Sequence, residues 1–93
     1  MVVLYLMITL HAPWCDSLNE KRSEVRKLLA RLRGNLNLSA CESHMQDRHR
    51  TIGLTIASLA FDHAQGDSIA QSVIAAVEST TDAEIIQIDK EYR

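Results

Sequence analysis

The apolar residues of this 93-residue chain change period along its length, and the order of those changes restricts the fold more than any other feature. Residues 2 to 11 alternate, with Leu4, Leu6, Ile8 and Leu10 on one side and Val3, Tyr5, Met7, Thr9 and His11 on the other. A period of two is that of a strand, and the drier first set marks the face to be covered by helices. Pro13 then ends the strand, because it lacks an N–H and disfavours helical angles at Ala12. Ser17 and Glu20 follow as S-x-x-E, a box in which each side chain satisfies a free amide at a helix start.

From Leu18 to about Arg33 the period becomes helical, with Leu18, Val25, Leu28, Leu29 and Leu32 on one stripe and Gly34 placed as a C-terminal cap. Residues 35 to 42 alternate again. Leu36, Leu38 and Ala40 oppose Asn37, Ser39 and Cys41, which reads as a half-buried strand. Residues 43 to 50, SHMQDRHR, read as a polar loop before a third strand near 50 to 61. Asp62 to Ser68 is turn-like, with Asp62 or Asp67 as a helix cap. Ile69, Val73, Ile74, Ala76 and Val77 then recur at helical spacing, and residues 83 to 92 close the chain as a strand with Ile86 and Ile88 on one face.

The order β, α, β, β, α, β predicts a single ferredoxin-like α+β domain over residues 1–93: a four-stranded antiparallel sheet, order 4-1-3-2, with two helices on one face. That topology brings the turn at 11 to 17, the start of the first helix and the loop at 43 to 50 to one end of the sheet. His11, Trp14, Cys15, Ser17, Lys21, Arg22, Glu42, His44, Asp47, Arg48, His49 and Arg50 are therefore expected to gather there.

At this point a resemblance enters. His11, Pro13, Ser17, Leu18, Glu20, Lys21 and Arg22, read as H-x-P-x-x-x-S-L-x-E-K-R, resemble the N-terminal signature of the YlxP-like family of small bacterial proteins of unknown function. Glu42, Gln46 and Asp47, as E-x-x-x-Q-D, are similar to the same family's hairpin segment. Asn19 stands where the family has Lys, and Arg48-His49-Arg50 where it often has an aromatic. The resemblance implies a ferredoxin-like fold and a role associated with RNA or the ribosome.

Charge is distributed unevenly. Residues 1 to 50 hold eight Lys/Arg against five Asp/Glu, and residues 51 to 93 hold two against seven, so the net −2 hides a basic half. No uniform nucleic-acid-coating surface follows, and DNA is not indicated, but a local basic patch is. Arg22, Arg26 and Arg33 form a row without acids, while Glu20 and Glu24 pair with Lys27 and Arg31 on the other side of the helix. The expected phosphate-binding residues are Lys21, Arg22, Arg26, Arg48 and Arg50 beside a helix N-terminus, supported by His11, Ser17, Glu42, His44, Asp47 and His49.

Other chemistries have thinner support. Cys41-x-x-His44 and His11-x-x-x-Cys15 would converge at one end as a mixed Cys/His set but match no zinc spacing, so a metal or thiol site is only a third reading, and no metal and no cofactor are expected. Cys15, His44 and Asp47, or Glu42 and Asp47, form no recognisable catalytic order, and Gly34, Gly53 and Gly66 form no phosphate loop, so an enzyme is not expected. TIGLTIASLAF lacks the RNP1 pattern, and only Tyr5 and Phe61 offer aromatics for base stacking on the sheet. The apolar start is too short to span a bilayer and lacks a basic leader, and the two cysteines form no C-x-x-C. Cytoplasmic residence without membrane attachment is the expectation. The main rival to an RNA role is a protein-interaction module. Val3, Tyr5, Met7, Ala57, Leu59 and Phe61 would leave an apolar sheet face open, with Tyr5, Met7, Leu59 and Phe61 at a homodimer interface.

Overall fold

In the computed structural model, which describes residues 1–93, the chain runs β1 (Val2–His11), α1 (Leu18–Asn35), β2 (Ser39–His44), β3 (Thr51–Ala60), α2 (His63–Thr80) and β4 (Glu84–Tyr92). The strands form one antiparallel sheet in the order β2-β3-β1-β4, the expected 4-1-3-2 arrangement. β1 and β3 pair without interruption from Val2 opposite Ala60 to His11 opposite Thr51. Because the pairing is in register, the two drier faces coincide. Leu4, Leu6, Ile8 and Leu10 join Ile52, Leu54 and Ile56 under the helices, all fully buried. Each such side chain stabilises the fold by roughly 1.5–3 kcal/mol relative to exposure, so the central strand pair carries most of the core.

Both helices begin with the same device. Ser17 Oγ accepts from the Glu20 amide at 3.2 Å while Glu20 Oε2 accepts from the Asp16 amide at 2.7 Å. At α2, Asp62 Oδ1 accepts from the Gln65 amide at 2.8 Å and Gln65 Oε1 accepts from the Phe61 amide. This second box, D-x-x-Q, selects Asp62 from the two expected caps and starts α2 at His63, so residues 63–68 are helical and not a turn. Gly66 and Asp67 therefore lie inside the helix. A Cβ on Gly66 would overlap the Tyr92 ring, which stacks on His63 with centroids 4.3 Å apart and whose hydroxyl donates to Asp67. Partial burial and that hydrogen bond push the Tyr92 phenol up to about 12, and Lys90 and Tyr92 hold the Asp67 carboxyl below its usual range. The glycine that reads as a turn in sequence is a helical residue making room for a ring on β4.

Two further boundaries and two face assignments differ from the expectation for physical reasons. Gly34 is not a left-handed cap: α1 continues through it and leaves at Leu36 in an extended conformation, whose amide donates to Leu32 O. Leu36 and Leu38 still pack against the core, but ladder pairing with β3 begins only at Ser39 opposite Ala57, so β2 spans 39–44 and not 35–42. Leu18, expected on the buried stripe of α1, is exposed. The stripe that faces the sheet is Lys21, Val25, Leu28 and Leu32. In β4, Ile88 pairs with Ile8 on the helix side, whereas Ile86 is the unpaired residue of a bulge opposite Thr9 and Leu10. No helix is long and apolar enough to cross a membrane.

Candidate functional site

The α1 stripe places a lysine where an apolar residue is normally found. Lys21 is 2% exposed, and its ammonium is fully occupied. It donates to Met45 O at 2.5 Å and to Arg48 O at 2.7 Å, and it lies 3.1 Å from Glu42 Oε2. Glu42 comes from the helix-facing side of β2, opposite Leu54. Its Oε2 is buried and receives no hydrogen bond, so the 3.1 Å ion pair is its sole compensation. A buried ammonium needs such partners, because desolvating an unpaired charge costs several kcal/mol. Lys21 is thus a fastener for the loop after β2, and the expectation that it contacts phosphate fails because its donors all point inward.

The fastened loop is conformationally unusual. Met45 has φ of 60°, the only non-glycine residue in the left-handed region, and its carbonyl accepts from both Lys21 and the Arg48 amide. One residue earlier, the His44 ring lies over Gly53, where a Cβ would sit 2.5 Å from the His44 carbonyl oxygen and closer still to the ring. His44 Nε2 is 3.0 Å from Thr9 Oγ1 and its Nδ1 is 2.8 Å from Ser43 Oγ, which accepts from Thr55. This hydroxyl–imidazole chain lines a cleft of about 490 Å³ on the open sheet face, together with Tyr5, Met7, Met45, Gln87 and Asp89. The polar half of that face was not legible in the alternation, because Ser43 is the extra residue of a β2 bulge and shifts His44 into place opposite Gly53.

The remaining expected site residues separate into used and free. Ser17 is spent on the cap, and Gln46 donates from Nε2 to Glu42 O at 3.3 Å. His11 and His49 are half-buried, and Asp47 is exposed. Arg50 pairs with Asp16 at 3.0 Å with both groups largely in solvent, an arrangement worth little. Arg22 has only a neutral partner, donating from Nη1 to Asn19 Oδ1 at 3.0 Å, and Arg26 and Arg48 are exposed. Arg33 donates to Ala40 O at 2.6 Å on β2, which places the Arg22-Arg26-Arg33 row along the β2 side of α1.

All five ion pairs together engage Lys21, Lys27, Arg50, Lys90 and Arg93. The cations without a carboxylate are Arg22, Arg26, Arg31, Arg33 and Arg48, all of them arginines of α1 or the loop that Lys21 holds.

The cysteines do not join this site. Cys15 is fully buried in the core, and burial, then the nearby Glu24, Glu20 and Asp16, push its thiol up, away from the thiolate needed for nucleophilic or metal chemistry. Cys41 is exposed on the open face of the edge strand β2. No group of three or more His, Cys, Asp or Glu side chains is arranged to hold a metal ion.

The residues that carry the family signature are largely architectural in this geometry: a proline turn, a helix cap and a buried fastener. Comparison with curated proteins gives no match. A family model described as "Protein of unknown function (DUF503)" matches residues 3–90, nearly the whole of the sheet and both helices, and the chain belongs to that family.

Proposed function

We propose that the protein is a non-enzymatic accessory factor of the YlxP-like kind in the bacterial cytoplasm. In this reading it associates with RNA or a ribosomal particle by contacting phosphates along the β2 side of α1 and the adjoining loop. The observation that carries this reading is the segregation of unpaired charge. Arg22, Arg26 and Arg48 are exposed guanidinium groups without carboxylates, and every lysine is ion-paired. Arg22 and Arg26 are one i, i+4 step apart, about 6 Å along the helix axis, so they present side chains in line to a backbone. Guanidinium groups suit phosphate because their planar donors bind two oxygens at once.

The test is binding of bacterial ribosomal particles and of generic RNA at two salt concentrations. Three phosphate contacts on a single strand predict a slope of log affinity against log salt of roughly −2. Arg22→Glu with Arg26→Glu should cut that slope by more than half and weaken binding at least about tenfold. Binding that is insensitive to salt and to these substitutions would sink the phosphate reading.

A second reading, a homodimer or protein-interaction module working through the open sheet face, is favoured by Leu59 and Phe61, which are 66% and 77% exposed. Tyr5 and Met7, opposite Ala57 and Thr55, are half-buried farther along the same face of the sheet. Burying both large side chains against a second copy would stabilise an assembly by a few kcal/mol at roughly 25 cal/mol per Å². Sedimentation should then show a dimer at micromolar concentration that Phe61→Asp converts to monomer. A monomer in the unsubstituted protein removes this reading.

A further inference from the structure

Once the cap, the fastener and the core have taken their residues, Trp14, Leu18 and Met45 remain exposed at the loop end of the sheet, and Trp14 is the large aromatic among them. Trp14 is the single tryptophan of the chain and is 43% exposed. It lies in the turn where the Cys15 amide donates to Ala12 O at 3.1 Å, a turn that buries Cys15 completely and leaves Trp14 outside. The ring pairs of the molecule are His63 with Tyr92, Lys90 with Tyr92 and Arg93 with Tyr5, and Trp14 enters none of them.

The charges around the turn carry both signs, with Glu20, Glu24 and Asp16 near Cys15 and with Lys21 and Arg50 beside them. The Ala12 amide donates to Arg50 O at 2.8 Å, and the Asp16 carboxylate pairs with the Arg50 guanidinium at 3.0 Å, so Arg50 is tied to the turn on both sides of Trp14 in the sequence. Arg48 is two residues from Arg50 and is tied by its carbonyl to Lys21, the neighbour of Arg22. An exposed indole on a turn gripped by one arginine, at the end of the sheet that also carries Arg22 and Arg48, has the composition of a surface that takes single-stranded nucleic acid, in which cations follow the backbone and an aromatic face receives an unstacked base. Duplex RNA keeps its bases stacked inside and offers no face to such a ring.

We infer that the RNA partner is single-stranded where it meets this end of the molecule, and that Trp14 is the platform on which one unpaired base stacks. The inference rests on the phosphate reading above and adds a base to it. The Arg50–Asp16 pair is solvent-exposed and therefore cheap to exchange for a phosphate, which allows Arg50 to turn toward the strand that Trp14 holds.

The lone tryptophan is its own reporter. Titration of the full chain with a short mixed-sequence single-stranded RNA should quench its fluorescence, whereas an abasic ribose-phosphate strand of equal length should bind without quenching. Binding of a labelled strand, followed by anisotropy, should weaken roughly 5- to 100-fold in Trp14→Ala and recover most of its strength in Trp14→Phe, which keeps a ring. Affinity for a duplex should be the same in all three proteins. A strand that binds with Arg22- and Arg26-dependent, salt-sensitive affinity, yet leaves the fluorescence and the Trp14→Ala affinity unchanged, overturns the stacking inference and leaves the phosphate reading standing. Absence of binding by any of these probes overturns both.

Discussion

Replacement of Lys21 by Met is expected to cost the fold roughly 3–5 kcal/mol, the range for removing one partner of a buried ion pair. Met matches the length and bulk of the stem, so packing against the neighbouring stripe residues Val25 and Leu28 is retained and the loss isolates the ammonium. What remains is a Glu42 carboxylate oxygen without compensation and two carbonyls, Met45 O and Arg48 O, without their donor. Domains of this size have total stabilities of about 5–15 kcal/mol, so much of the margin goes with one side chain. Urea unfolding checks the magnitude. The double replacement Lys21→Met with Glu42→Leu should recover a good part of the loss, since exchanging both charges for apolar groups is far less costly than stranding one. A loss below about 1 kcal/mol in the single variant would show that the ammonium is not the fastener.

Gly53→Ala is the second large effect, expected to destabilise by about 3 kcal/mol, the upper end of what overpacking usually costs. The added methyl would meet the His44 ring and the His44 carbonyl together. The ring is a side chain that a change of rotamer can move, but the carbonyl belongs to the backbone of β2, so the edge strand must move away from β3. His44→Ala in the same background removes the ring but not the carbonyl and should restore only part of the stability. Thermal melts of the two single variants and the double variant measure that coupling. Full restoration in the double variant would place the whole clash on the ring and refute a backbone origin.

These two positions also mark the boundary of what could be read from residues in order. β1, β3 and β4 were legible to within a residue or so because burial on one face of a sheet imposes strict alternation. The start of α1 was legible from Ser17 and Glu20, because a capping box is a local interaction. The start of α2 was equally local, in Asp62 and Gln65, but Gly66 left it open between Asp62 and Asp67: glycine in a helix interior is unfavourable until something else requires the missing Cβ. That requirement, the Tyr92 ring, lies on the last strand. The C-terminal end of α1 misled in the same way, since Gly34 had the identity of a cap without the left-handed geometry of one.

Among the candidate site residues, the gathering of turn, helix start and loop at one end followed from element order alone. The Arg50–Asp16 and Lys21–Glu42 pairs realise it. Which cations were free did not follow. A clue was present, for Lys21 precedes Val25, Leu28 and Leu32 by four, seven and eleven positions, and Glu42 alternates with the buried Ala40. Each charge thus occupied the inward phase of its own element. Only the packing of α1 beside β2 shows that the two inward charges meet, turning a supposed phosphate ligand into an internal tie.

By itself, then, the order of apolar periods determined the sheet, its strand order and the face that helices cover, because burial of one face is written in every second or every third and fourth residue. The tertiary structure decided which polar groups were consumed. Hydrogen bonds and ion pairs between distant segments depend on ångström-scale register and on single-residue bulges, such as those at Ser43 and Ile86, that leave no period behind. Arg22, Arg26, Arg48 and Trp14 are among the exposed residues that the fold left without carboxylate or ring partners.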